Sequence, residues 1–160
     1  MADLADLERR IRVLEEECRK VRDIEEIKQL KHRYWRSIRE KQWNETADCF
    51  TEDALLEVPG QEPHHGKDSI FRVYRFMARY FSIVAPQGHN SEIEITSETT
   101  ARGTWFNDNV MVEAETGVAG RAGVLYKDEY AKEKGEWKMK SCRATFFFKQ
   151  SVNMDEVTGA

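Results

Sequence analysis

The chain reads as an α+β domain, with helices lying on one face of a curved sheet of about four main antiparallel strands. Three observations predict this class. Apolar residues recur at helical three- and four-residue steps as far as Val84. The period changes to alternation after Gly88, and alternation then persists to about Lys149. At 160 residues the chain makes one domain, long enough to bury a real core.

The elements follow in order. Leu4, Leu7, Ile11, Leu14, Cys18 and Val21 form a heptad a/d seam, with Glu8–Arg12, Glu15–Arg19 and Glu16–Lys20 supporting the outer face. The seam suits either a coiled coil or a helix laid on its own sheet or on a neighbouring subunit. A second helix is expected from Asp23, capped with Glu26, and Ile24, Ile27, Leu30, Tyr34 and Ile38 form its buried stripe. It breaks near Gln42–Asn44 and gives way to a short helix. Tyr34, Trp35, Arg39 and Trp43 cluster at that end and could wall a pocket. A strand is expected over 53–58, stopped by Pro59-Gly60, and the following loop brings in His64 and His65. A helix from Asp68 carries Ile70, Val73, Tyr74, Met77, Tyr80, Phe81 and Val84 and ends at Pro86-Gln87-Gly88. Strands are expected near 101–112, 124–132 and 136–149, the last two joined by Glu133-Lys134-Gly135. The resulting organisation is an amphipathic helix at 1–22, the domain proper at 23–150, and a flexible tail at 151–160.

Composition narrows the function. A formal charge of -4 and a pI near 5.7 leave no basic stripe for nucleic acid. Cys18, Cys49 and Cys142 lack ligand spacing and follow no signal peptide, so reduced cytoplasmic thiols without metal or disulfide are expected. No apolar run approaches membrane-spanning length. Nucleotide-loop and zinc-protease motifs are missing. Alternation places Val124, Tyr126, Asp128 and Tyr130 on one face. On the last strand it groups Trp137, Met139, Ser141, Arg143, Thr145 and Phe147. Apolar faces bearing a few hydroxyls and charges suit a small-molecule pocket; the competing reading sends Asp128 and Arg143 to solvent. The opposite face of the last strand then shows Cys142, Ala144, Phe146 and Phe148, which with the Leu4–Val21 seam predicts a homo-oligomer, trimer or dimer. His89 lies at a sheet rim and His65 in a loop, while His32 reads as a surface residue.

The segments DIEEIKQLKHRYW with Trp43, GHNSEIEI, ETTARGTWFNDN and LYKDEYAKEKGEW, in that order, resemble the SnoaL-like branch of the nuclear-transport-factor-2-like superfamily. Within it the chain is most similar to bile-acid dehydratase and scytalone dehydratase. The resemblance implies a cone-shaped barrel, a strongly bent antiparallel sheet wrapped around helices, with an apolar pocket, no cofactor and frequent dimers or trimers. It carries a catalytic tyrosine onto Tyr34. The family's aspartate five residues later falls on Arg39, its histidine on Pro86, and its downstream acid on Asp108 or Asn109.

Elimination needs a base and an acid, and Arg39 cannot be the base, although it could stabilise an oxyanion. The expected catalytic set is Tyr34, Arg39, His89 and Asp108, with Trp35, Trp43, His65, Asn109, Tyr126, Arg143 and Phe147 contacting a hydrophobic, ring-containing, oxygenated substrate. The favoured reading is a cofactor-independent lyase or isomerase working by elimination or retro-aldol cleavage; the alternatives are a binding protein that has kept only the pocket and an oligomeric interaction module.

Overall fold

A computed structural model describes residues 3–152. The elements are α1 (Leu4–Arg39), α2 (Trp43–Asp48), β1 (Phe50–Glu57), β2 (His64–His65), α3 (Lys67–Tyr80), β3 (Phe81–Ile95), β4 (Thr100–Glu113), β5 (Ala119–Glu133) and β6 (Glu136–Val152). They form one six-stranded sheet in the order β2-β1-β6-β5-β4-β3. The four long strands are antiparallel to one another, and β1 joins β6 in parallel. The sheet is bent but open, so α1 packs along β3 and β6 on its inner face, closed off by α2 and α3.

The two helices expected on either side of Asp23 are one. Asp23 is buried mid-helix rather than at a cap, where it accepts hydrogen bonds from Lys132 Nζ (2.5 Å) and Trp137 Nε1 (3.0 Å). A carboxylate followed by a helical stripe looks the same in sequence whether it caps or pairs. The helix from Asp68 also ends earlier than its period implies. Phe81–Val84 belong to β3, a strand that runs through Pro86 and bulges between His89 and Glu92, where Asn90 has φ 50°. Pro86 is tolerated because β3 is an edge strand. Lys134 and Gly135 both have positive φ and make the two-residue turn between Glu133 and Glu136, whose twist suits a hairpin.

Strand β6 departs furthest from simple alternation. Tyr130 pairs with Met139 but Glu129 pairs with Ser141, so Lys140 is an extra residue, and Phe147 is a second one between Phe146 and Phe148. The first bulge reverses the phase. Trp137 and Met139 point inward before it; Cys142, Ala144 and Phe146 do so after it. The inner set expected beyond Met139 therefore faces out, and the apolar outer set expected from Cys142 to Phe146 faces in. Ser151 and Val152, expected in a flexible tail, belong to β6; the rest of that expected tail, residues 153–160, lies outside the described residues. No helix among the described residues is long and apolar enough to cross a membrane.

Candidate active site

Helix α1 supplies the centre of the inner face. Tyr34, Trp35 and Ile38 sit within one turn of each other and are all buried. With Trp43 on α2, Tyr74 and Met77 on α3, Pro86 on β3, Asn109 on β4, Tyr126 on β5 and Phe146 on β6 they line a mainly apolar cavity of about 90 Å³. That is less than the roughly 150 Å³ in which an apolar cavity takes up benzene, so even one ring enters only as lining side chains move outward. Trp43, Val58 and Met77 are partly exposed and form the yielding side.

The polar centre of the cavity is a pair of phenols. The Tyr34 and Tyr74 hydroxyls share a short hydrogen bond, and their rings meet edge-on at 6.1 Å. Burial pushes both hydroxyls well above the usual phenol range, and burial also raises Tyr126. All three are therefore neutral. One hydroxyl of the pair donates to the other, which leaves one hydrogen to be offered elsewhere. Trp35 Nε1 and Asn109 Oδ1, on two other cavity residues, are buried without a partner, as are both amide atoms of Asn107 on β4. Each such atom costs on the order of 1–3 kcal/mol unless something pairs with it.

Below the cavity lies an ion pair that sequence reasoning did not single out. Lys31 Nζ donates to Asp128 Oδ2 at 2.6 Å, and neither side chain is exposed. Tyr130 donates to the same oxygen at 2.8 Å and accepts from Trp105 Nε1 at 2.8 Å. The Lys31 ammonium lies 4.8 Å from the Tyr34 ring centre, 5.1 Å from that of Trp35 and 4.6 Å from that of Tyr126. The pair thus stands behind three cavity walls. Position 31 is missed because a lysine beside His32 and Arg33 reads as a helix-surface residue, and alternation leaves Asp128 open between pocket and solvent.

The expected site residues divide cleanly. Tyr34, Trp35, Trp43, Asn109 and Tyr126 line the cavity. Arg39 does not: it is exposed in the last turn of α1, 3.3 Å from Glu40, because five residues on a helix carry its side chain away from the Tyr34 stripe. His89 is exposed and stacked on Phe106. Asp108 pairs with Arg121 on the outer face at 2.6 Å, a contact that holds its carboxyl below the usual range. Its neighbour Asn109 points in, so of the two positions onto which the family acid could fall, Asn109 is the one at the cavity. His65 is exposed on edge strand β2. Arg143 pairs with Glu57 at 2.7 Å, outside the cavity. Phe147 is exposed and stacks on Phe106 at 5.6 Å; both Arg143 and Phe147 are displaced by the β6 bulges. Tyr74 is the polar cavity residue that its aromatic run disguises as core. Among the described residues no group of acids, histidines and cysteines could hold a metal.

An open, bent sheet closed by three helices over an apolar, hydroxyl-bearing cavity is the nuclear-transport-factor-2-like class of fold. The model of the SnoaL-like domain matches residues 19–143. The chain belongs to that family. Its fold is similar to a hexachlorocyclohexane dehydrochlorinase, LinA type 2, at 14% identity and TM-score 0.81, over 86% of this chain and 93% of that one. It is also similar to a protein provisionally named scytalone dehydratase from Novosphingobium aromaticivorans, at 18% identity and TM-score 0.79, over 84% and 91% of the two chains. ActVI-ORFA from Streptomyces coelicolor matches at 17% identity and TM-score 0.66, over 78% and 96%. At these identities the likeness is one of fold.

Proposed function

We propose that the cavity binds a ring-containing, oxygenated small molecule and holds its oxygen with the hydrogen left free by the Tyr34–Tyr74 pair. The buried, partner-backed phenol pair carries this reading. A neutral hydroxyl that already accepts a hydrogen bond is a polarised donor, and it suits a carbonyl, phenol or phenolate oxygen. The unpartnered Oδ1 of Asn109, another residue lining the cavity, offers an acceptor, and the indole N–H of Trp35 a second donor. Binding stands ahead of turnover, because the titratable groups lining the cavity are tyrosines held protonated, and an elimination needs a base.

A cofactor-independent lyase or isomerase is the second reading, and the phenol pair favours it too. Placed on an enolate or departing oxygen, the pair stabilises developing negative charge, for a substrate whose proton is lost to water rather than to a side chain. The family membership and the dehydrochlorinase and dehydratase names of similar folds support this class of chemistry. Homo-oligomeric assembly and a cytoplasmic location belong to the same proposal. The location rests on three unpaired cysteines, two of them buried.

The test compares p-cresol with toluene, followed through the indole N–H signals of Trp35 and Trp43 by NMR. The expected result is a p-cresol dissociation constant about tenfold lower than that for toluene, the worth of one hydrogen bond near 1.4 kcal/mol. Equal constants, or shifts confined to Trp105 and Trp137, would remove the donor pair from recognition.

A further inference from the structure

The amino-terminal half of α1 is unaccompanied by the rest of its chain. Leu4, Ile11, Leu14 and Val21 are each more than half exposed, at 69%, 53%, 63% and 67%, and Leu7 stands at 41%. Cys18 is exposed as well. The first ion pair with the domain is Arg19 with Glu98 at 3.1 Å, and the first buried residue is Asp23. The helix is therefore not laid on its own sheet. Six apolar or thiol side chains form a continuous stripe that meets only water.

We propose that residues 4–21 form a parallel, in-register, two-stranded coiled coil with a second copy of this chain. Four features of the sequence and the helix fit this occupant. Ile11 at an a position between Leu7 and Leu14 at d positions is the combination that favours two strands. In parallel register, Arg10 of each copy faces Glu15 of the other and Glu17 faces Arg22, four flanking pairs of opposite charge, while Asp3 and Glu8 at the open end are like in charge. Antiparallel alignment of the same layers sets Glu8 against Glu15. Arg10, Glu15 and Arg22 have no ion-pair partner within the chain among the described residues, and are free to make these pairs.

The third feature is direction. At about 100° per residue the seam lies on roughly the opposite side of α1 from Ile27, Leu30, Lys31 and Tyr34, which face the domain. Two copies meeting along the seam carry their sheets outward and do not collide. The fourth is continuity. A free helix of this length is marginal because nucleation is costly, but α1 runs unbroken into a segment fixed by the domain, so the nucleus already exists.

Cys18 makes the register readable. At an a position in parallel register it lies opposite Cys18 of the second copy, within the distance a disulfide spans. Diamide would take up the two electrons and two protons released as the two thiols join. Cys49 and Cys142 are buried and do not compete.

The experiment is light scattering on the full chain and on the Leu7→Glu/Leu14→Glu variant, with non-reducing gels after diamide. Twice the 18.7 kDa chain mass is expected for the wild type, falling to a monomer in the variant with the thermal midpoint of the domain unchanged. Diamide should yield a covalent dimer that Cys18→Ser abolishes. A monomeric wild type, an assembly that survives Leu7→Glu/Leu14→Glu, or a dimer that diamide fails to cross-link would each overturn the proposal; the last would indicate an antiparallel or staggered seam. None of these results bears on ligand binding in the cavity.

Discussion

Tyr34 was legible as a site residue because a phenol on the buried stripe of a long helix stands out, and the family resemblance points to the same position. Its partner was not. Tyr74 sits in an aromatic run that reads as core, and only the closing of α3 over α1 brings the two hydroxyls together. Burial raises Tyr34, Tyr74, Tyr126 and Tyr130 above the ordinary phenol range. Groups whose folded value is raised contribute stability that is full below the unfolded value, near 10, and is lost as pH climbs beyond it. The 295 nm tyrosinate absorbance of the folded protein should therefore show these four of the five tyrosines silent through about pH 10, appearing together on unfolding. Stepwise titration of all five below that pH would mean the phenols are not sealed. Gly88 makes a second prediction at this scale. A Cβ there would lie 1.8 Å from the ring of the buried Trp35, so Gly88→Ala should displace the indole and lower stability by about 1–3 kcal/mol in urea unfolding. An unchanged midpoint would show that the indole has room to turn aside.

At the scale of elements, α1 is bound to the sheet by two ionic links at different depths. Lys31 holds β5 through Asp128, and Asp23 holds the β5–β6 hairpin through Lys132 and Trp137. Breaking the fully buried link should cost most: Asp128→Leu strands the Lys31 ammonium and should lose about 3–5 kcal/mol, while Lys31→Met with Asp128→Leu should recover most of it. If the double variant is no better than the single one, the charge is not what Asp128 answers. Burial alone would raise the Asp23 carboxyl, but hydrogen bonds from Lys132 and Trp137 outweigh it and hold the group below the ordinary carboxylate range. A lowered folded value contributes stability above the unfolded value, near 4, and that stability is lost as pH falls through the folded one. Asp23→Asn should thus be clearly less stable than wild type at pH 7, with the gap shrinking below about pH 4. A gap that is constant with pH would mean the hydrogen bonds matter and the charge does not. The strands themselves were legible from alternation, but β6 was read in one phase throughout. An extra residue at Lys140 carries no compositional mark, since lysine fits a solvent-facing strand position as readily as a bulge, and this sent Arg143 and Phe147 to the wrong face.

For the whole molecule, the order of helices before strands was enough to give the α+β class, and the motif segments gave the family. Bend and cavity follow from long strands that must wrap a long helix. The chemistry was less legible, because a family position says where a side chain starts and not where its head arrives. Arg39 starts in the right turn and ends in solvent, whereas Pro86 and Asn109 reach the cavity but bring no acid or base. What remains at the centre is a donor pair in an apolar space. The most direct measurement is a crystal structure of the protein soaked with p-cresol. The ring should lie within the cavity with its oxygen about 2.5–3.0 Å from a Tyr34 or Tyr74 hydroxyl, and Met77 or Trp43 should have moved outward. A ring bound instead in the open groove beside Arg36 and Arg39, with the tyrosine pair unaltered, would contradict this placement.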